Sequence, residues 1–268
     1  MYVDTKRCGT IAYIPGRAIY YIACNGLTGR EVKIVQNNNY LHMAEVQVWG
    51  GTGAIKGVGL LSYHKPSTML TTGHGGVASR AVDGNANGWW KTGTGIHTAG
   101  KKHAWQVDLE KVYPVYTVIV HNRWDNCCTS RINGAKVYVD THLCGTIKYK
   151  KGVSVYPVNC GGKKGRIVKI THKTIINIAE VEVLGTGGPS MFGPTMGSGN
   201  VKLLSLRRPA TMTSAYRGGD AYKAVDGQTN GYWGTGYVLP PLTFILDTKV
   251  LFVCGQLLIH RSPLIFSV

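Results

Sequence analysis

The chain reads YVDTHLCGTIKYKKG at 138–152, CGGKKGRIVKIT at 160–171 and NIAEVEVLGTGG at 177–188. It has already spelled this run once, as YVDTKRCGTIAYIPG at 2–16, CNGLTGREVKIV at 24–35 and HMAEVQVWGGTG at 42–53. The two runs match almost without gaps, cysteines included. A second pair lies on either side: ASRAVDGNANGWW at 78–90 returns as AYKAVDGQTNGYW at 221–233, and WQVDLEKVYPVYTVIVH at 105–121 as FILDTKVLFVCGQLLIH at 244–260. Self-similarity in a fixed order is the mark of tandem units. The chain therefore divides into the C-terminal half of a first module (1–53), a complete module (54–188), a linker rich in Gly, Pro and Ser (189–200), and the N-terminal half of a third, degenerate module (201–268). A unit of about 135 residues has the size of one domain.

Inside the complete module the segments WQVDL, TVIVHN, AKVYVD, GTIKYK, RIVKIT and AEVEVLG alternate apolar and polar residues and are rich in Val, Ile, Thr and Tyr. That period of two predicts short strands. No stretch holds a 3.6-residue apolar period long enough for a substantial helix. With 36 glycines and only 16% charged residues, the composition favours strands joined by tight turns. The expected fold is all-β, an antiparallel β-sandwich of the jelly-roll kind, with function in loops gathered at one end. The two partial modules together hold nearly one full set of strands. This predicts that they assemble with each other, within one chain or between chains, and bury edges that would otherwise stay open.

The net charge is +17, from 30 basic and 13 acidic side chains. Such an excess favours anionic partners and suits contact with acidic cell surfaces. The basic residues lie in small clusters, Lys101-Lys102, Lys148-Lys150-Lys151 and Lys163-Lys164-Arg166, with no helix-turn-helix, zinc finger or basic helix, so nucleic acid is not an expected partner. No run of 18 apolar residues occurs that would read as a membrane-spanning helix. Cys8 and Cys24 are 16 apart, as are Cys144 and Cys160; Cys127 and Cys128 are adjacent, and Cys254 is left over. Repeated spacing without any CxxC pair reads as a disulfide framework rather than a zinc site, and so as an oxidising, extracellular compartment. Met1 opens inside a repeat, with no signal-peptide pattern before it, and the chain reads as a piece of a longer secreted protein.

AVDGN at 81–85, the WQVDL strand, HNRWDNCCTSR at 121–131 and AEVEVLG at 179–185 resemble the F-type lectins, the eel fucolectin family, within the wider discoidin-like group of coagulation factor V/VIII type C domains. The AVDG, VDL and EVEV signals belong to the wider group. The ordered set of a His, an Arg-x-Asp, adjacent cysteines and a second Arg belongs to the lectins. Here 25 residues separate His97 from Arg123, one fewer than the family pattern, and five separate Asp125 from Arg131, one more, through an inserted Asn126.

The resemblance implies a fucose-binding site in which His97, Arg123 and Arg131 grip adjacent hydroxyls, with two guanidinium forks and an imidazole that donates or accepts. It implies that Asp125 holds a fork in place or accepts a hydroxyl proton, and that Trp90 lines the pocket for the C6 methyl, with Trp124 adding ring surface. Cys127 and Cys128 resemble the family's vicinal disulfide, which packs on the sugar ring; the other reading pairs each with a different cysteine. A structural calcium ion is implied at Arg80, Asp83, Asn85, Thr94, Ala179 and Glu180, several of them through main-chain carbonyls. Trp105 reads as core, and His74, His103, His121, His142 and His172 carry no motif. The third module has no counterpart of His97, and the first keeps only Ala44-Glu45 of the calcium set.

Three functions compete. The first is a non-enzymatic, calcium-dependent lectin for fucosylated glycans and glycoproteins, serving recognition, adhesion or innate immunity, with homo-oligomers familiar in the family and avidity gained through multivalency. The second is a discoidin-like module for anionic phospholipid or a protein partner. The third is a carbohydrate-binding piece of a glycosidase. No pair of carboxylates is placed persuasively for glycoside hydrolysis, so catalysis by this chain is not expected.

Overall fold

The computed structural model describes residues 1–11, 19–24, 27–36, 43, 45–51, 58–86, 88, 93–100, 103–123, 125, 127–187, 202–204, 208–212, 220–226 and 242–258, for most of the last segment as a backbone path alone. Fifteen strands are described. From the N-terminus these are β1 (Tyr2–Val3), β2 (Lys6–Arg7), β3 (Ile19–Ala23), β4 (Thr28–Ile34), β5 (Glu45–Gly51), β6 (Val58–Leu60) and β7 (Ser67–Met69). The central strands are β8 (His103–Asn122), β9 (Lys136–Val139), β10 (His142–Thr146), β11 (Val155–His172) and β12 (Ile178–Thr186). The last are β13 (Lys202–Leu203), β14 (Ala210–Met212) and β15 (Leu242–Leu258). The described helical turns are 3-10, at Ala78–Ala81, Thr129–Ile132 and Ala221–Ala224. As the alternating pattern predicts, the protein is an all-β sandwich of antiparallel strands.

The strands divide into two sets. One runs β10-β9-β11-β8-β12-β6, with β7 on β8, and encloses a core that includes Trp105, Val107, Val118, Val120, Val137, Ile170 and Val181. The other runs β13-β5-β15-β4-β1-β2, with β3 and β14 also on β15, around a core that includes Val3, Ile22, Val32, Ile34, Val46 and Val48. The second set joins both ends of the chain: β15 pairs antiparallel with β3, β4 and β5, and β13 with β5. The orders correspond strand for strand, β15 standing where β8 stands and β5 where β12 stands. Strands from the two ends of the chain thus pair with each other within one chain.

Repeated residues do repeated work. Asp140, at φ 49°, accepts the main-chain N–H groups of Arg166 and Ile167; Asp4, at φ 48°, accepts those of Arg30 and Glu31. An Asp tolerates left-handed backbone because its short side chain can satisfy nearby N–H donors. Gly165 and Gly29 sit across from these aspartates. A Cβ at Gly165 would lie 2.7 Å from Asp140 Oδ2 and also strike Val139, and one at Gly29 would lie 2.8 Å from Asp4 Oδ2 and strike Val3. Disulfides join Cys8 to Cys24 and Cys144 to Cys160 in matching places.

Two expectations needed correction. WQVDL and TVIVHN are not separate short strands: both lie in the 20-residue β8, paired along its length with the 18-residue β11. Glu110 at φ 68° and register shifts between Asn159 and Lys163 and between Gly165 and Ile167 let this ribbon bend without breaking. Only the first two residues of GTIKYK are strand. Pairing in β10 stops at Thr146, and the tyrosine beyond turns away to bond at Asn133 and Thr129. Trp105 fills the core as expected, fully buried with its indole N–H donating to Ala78 O at 3.0 Å.

Candidate functional site

His97 stands on a short stretch that runs beside the start of β12. Ile96 N–H donates to Ile178 O at 2.9 Å and Thr98 N–H to Ile176 O at 3.0 Å. On its other side, His97 N–H donates to Gly76 O at 3.1 Å and its carbonyl accepts Gly73 N–H at 2.8 Å. Glycine at 76 permits this approach, since a Cβ there would come within 2.9 Å of the Ile96 carbonyl carbon. The imidazole, 6% exposed, meets the ring of His74 edge-on at 4.8 Å.

Arg123 follows directly on β8, whose ladder fixes its backbone. Its Nε and Nη2 donate to the two carboxylate oxygens of Asp125 at 2.7 and 2.6 Å, and Nη1 donates to Asn177 Oδ1 at 2.6 Å. Asn177 in turn donates to Ile96 O at 3.0 Å, which ties the guanidinium to the stretch that carries His97. A bidentate, charge-assisted fork of this kind sets both position and plane. Asp125 thus fixes the plane of the Arg123 guanidinium.

Arg131 lies in the 3-10 turn Thr129–Ile132, anchored by buried Ile132 and by Arg131 N–H donating to Cys128 O at 3.1 Å. Cys127 and Cys128 are bonded to each other, and Cys128 takes the left-handed conformation at φ 63°. The alternative of separate partners is excluded in this structure. Asn122, just before Arg123, donates through its side chain to Thr129 O at 2.9 Å, so the disulfide loop is fastened to the strand that bears the fork.

Burial first, then the charges of His74, Arg131 and Arg123, hold the His97 imidazole below its usual pKa. Three of the expected residues, His97, Arg123 and Arg131, thus feel one another across one place. A neutral imidazole beside two guanidiniums supplies many donors and one acceptor to whatever enters. Trp90 and Trp124, expected to line the pocket, lie outside the described residues, as does Asn126.

Of the residues expected around a cation, Asp83 and Glu180 come together. Glu180 is buried; its Oε1 accepts Gly84 N–H at 3.3 Å, and its Oε2 has no hydrogen-bond partner among the described residues. Burial, then the charges of Asp83 and Glu182, push its carboxyl well above the usual range. Burial likewise raises Asp83, against the Asn85 N–H that donates to it at 2.9 Å. Arg80 closes the 3-10 turn before Asp83, Ala179 precedes Glu180 on β12, and Thr94 leads into the His97 stretch. Among the described residues no three His, Cys, Asp or Glu side chains cluster as metal ligands. Any cation here would need further oxygens from carbonyl, amide or hydroxyl groups.

Several residues that contact the candidate site residues, or lie near them, carry no motif in the sequence. Asn177 sits in an unremarked loop before the EVEV strand, and only the folded ladder brings it under Arg123. His74 had no motif, yet its ring touches His97. His121 had none either; it is fully buried and bonded to Glu182 at 2.9 Å, on the strand face that also carries Glu180.

The model of the NedA-like, galactose-binding domain matches residues 80–170. Fucolectin-2 of Anguilla japonica is 34% identical over 131 residues, covering 44% of this chain and 72% of its own length. The pentraxin fusion protein of Xenopus laevis is 30% identical over 119 residues, covering 40% of this chain and 28% of that protein. Fucolectin-3 of Anguilla japonica is 42% identical over 66 residues, with the match spanning 36% of its length, so over several relatives the likeness covers well under half of the protein. Among solved structures, the lectin domain of lectinolysin complexed with Lewis B antigen is 30% identical, covering 46% of this chain and 94% of that one at a TM-score of 0.43. The f-lectin from Morone saxatilis serum is 16% identical, covering 75% and 98% at a TM-score of 0.44. The chain belongs to the F-type lectin family, the fucolectins, built on the coagulation factor V/VIII type C-like domain.

Proposed function

We propose that this chain is a carbohydrate-binding lectin that takes fucosylated glycans in the pocket of His97, Arg123 and Arg131, acts by binding rather than catalysis, and works outside the cell. The observation that carries the reading is the convergence of those three side chains, with Arg123 locked by Asp125 and Asn177. A sugar hydroxyl is both donor and acceptor. The neutral His97 ring meets it in either role, while the arginines donate only. Because the fork is already fixed, little side-chain entropy is lost when a sugar arrives. The Cys127–Cys128 bridge offers an apolar plate for a ring face. Fucosylated glycoproteins are the natural partners, in recognition or innate defence, and three disulfides fit an oxidising milieu.

A calcium ion fits beside this pocket. Asp83 and Glu180 would hold it, with Asn85, Thr94 and the carbonyls of Arg80 and Ala179 completing an oxygen shell. When bound, it supplies positive charge that lets both carboxylates ionise. In this chain Gly84, next to Asp83, bonds to Glu180 on β12, and the Ile96–Thr98 stretch bonds to Ile176 and Ile178 just before it, so tightening one end steadies His97 at the other. The division of the chain into one sugar-binding module (54–188) and a second unit of joined halves is part of the same proposal.

The test is calorimetric titration of the 268-residue chain with L-fucose, in calcium and in chelator, beside Arg123→Ala. Saturable binding that the substitution abolishes and chelation weakens is the expected outcome. Absence of fucose binding, with uptake by acidic vesicles instead, would leave the fold and remove the ligand.

A further inference from the structure

Next to the sugar loop stands a turn whose charge the fucose reading does not use. Lys148, Lys150 and Lys151 are all exposed. Val153 N–H donates to Lys150 O at 3.1 Å, and Gly152 takes φ 75°, which makes a type II turn with Lys151 at its apex. The turn is bolted to the site on both flanks. On one, the Tyr149 hydroxyl shares a 3.0 Å hydrogen bond with Thr129 Oγ1, and Tyr149 N–H donates to Asn133 Oδ1 at 3.0 Å, so Tyr149 holds both ends of the short helix that bears Arg131. On the other, Ser154 O accepts the N–H of Asn122 at 2.7 Å, one residue before Arg123. Inside the turn, the Tyr156 hydroxyl donates to Val153 O at 2.8 Å.

The local charge is uncompensated. The complete module carries 18 lysines and arginines against seven acids, and the acids are engaged elsewhere. Asp125 is held by Arg123, Asp108 by Arg166, Glu110 by Lys65 and Glu182 by His121. Among the described residues no carboxylate pairs with Lys148, Lys150 or Lys151. A rigid turn of three unpaired ammonium groups, fixed beside a pocket for a neutral sugar, fits a ligand whose next residue is anionic.

We propose that the lectin prefers fucosylated glycans carrying a sulfate ester or carboxylate next to the fucose, with the anion lying over the Lys148–Lys151 turn. The inference rests on the fucose reading of the pocket. Each exposed lysine contributes modestly, and the effect is screened by salt.

The experiment titrates the full chain with a neutral fucosylated trisaccharide, its sulfated form and its sialylated form, at low and high salt. It repeats this with K148A/K150A/K151A, whose fold is checked by its melting midpoint. The anionic ligands should bind about fivefold tighter at low salt, and the triple variant should lose that advantage while binding the neutral ligand as before. A gain for one anionic form alone identifies which group the turn reads. Equal affinity for neutral and anionic ligands overturns the inference and leaves the fucose reading standing. An anionic preference that survives in the triple variant overturns the assignment to this turn. Equal binding of a fucose-free sulfated glycan, or of phosphatidylserine vesicles, overturns the link to the sugar pocket. Failure of all three fucosylated ligands overturns the fucose reading and this inference with it.

Discussion

Arg123 stands at the proposed sugar site with its orientation settled, because Asp125 takes one edge of the guanidinium and Asn177 another. Asn177→Ala should therefore weaken fucose binding about tenfold, a loss near the cost of one charged hydrogen bond, while leaving the strands intact. Titration beside circular dichroism checks both halves, and unchanged affinity would remove Asn177 from the site. His97 offers a second readout. Its pKa is held below the ordinary 6.5, so the ring stays neutral through physiological pH. Affinity should be level from about pH 7 to 8 and fall only in acid, where a third cation would join the two arginines. A decline already complete at neutral pH would contradict this.

Glu180 gives the opposite sign. Its carboxyl is held above the ordinary 4.5, so the folded chain keeps this proton more readily than the unfolded one. The stability tied to it is whole below the unfolded value and is lost as pH rises. In chelator, the melting midpoint should drop from acid towards neutral pH; Glu180→Gln should flatten that decline, and calcium should raise the midpoint of the parent alone. Matching pH curves for parent and variant would show that the carboxyl carries no such burden. His97, Arg123, Asp125 and Arg131 were legible because they fall in an ordered motif. Asn177 and His74 were not, since main-chain bonds between stretches distant in sequence, which no spacing records, bring each beside His97 or Arg123.

Among the elements, alternation announced strands correctly but misjudged their length. Turn-like residues in EKVYPVY suggested a break between WQVDL and TVIVHN, whereas β8 passes through by means of a bulge. Ladder bonds on two sides outweigh a locally unfavourable residue. The end of β10 was hidden for a different reason: Tyr149 gains more from Asn133 and Thr129 than from extending the strand. Where the β9 hairpin meets β11, Gly165 faces both Val139 and Asp140, and Gly165→Ala should destabilise the central module by about 1–3 kcal/mol through overpacking. Gly161→Ala is the control. A Cβ there meets nothing within 4 Å, and only its φ of 62° opposes the change, at about 1 kcal/mol. Denaturant midpoints for the pair would separate the two effects, and equal losses would refute the steric account.

For the molecule as a whole, the internal repeat was the most legible feature, and it foretold that the chain ends would meet. It left open whether they meet within one chain; β15 between β4 and β5 answers that here. Removing residues 242–268 should strip one partner from each of three strands at once, β3, β4 and β5. Limited proteolysis should then clear residues 1–51 quickly and spare 58–187. Resistance of the N-terminal segment after that truncation would mean that its strands stand without β15.

The same closure bears on how the chain is made. A ribosome delivers β3, β4 and β5 roughly 200 residues before β15, a wait of about 10–40 s at ordinary synthesis rates. Within that interval β6 to β12 are all delivered and can fold as a set, while the earlier strands stand with open ladders. The strands at residues 19–51 thus close after the set that follows them in the chain, and it is there that a chaperone has most to protect.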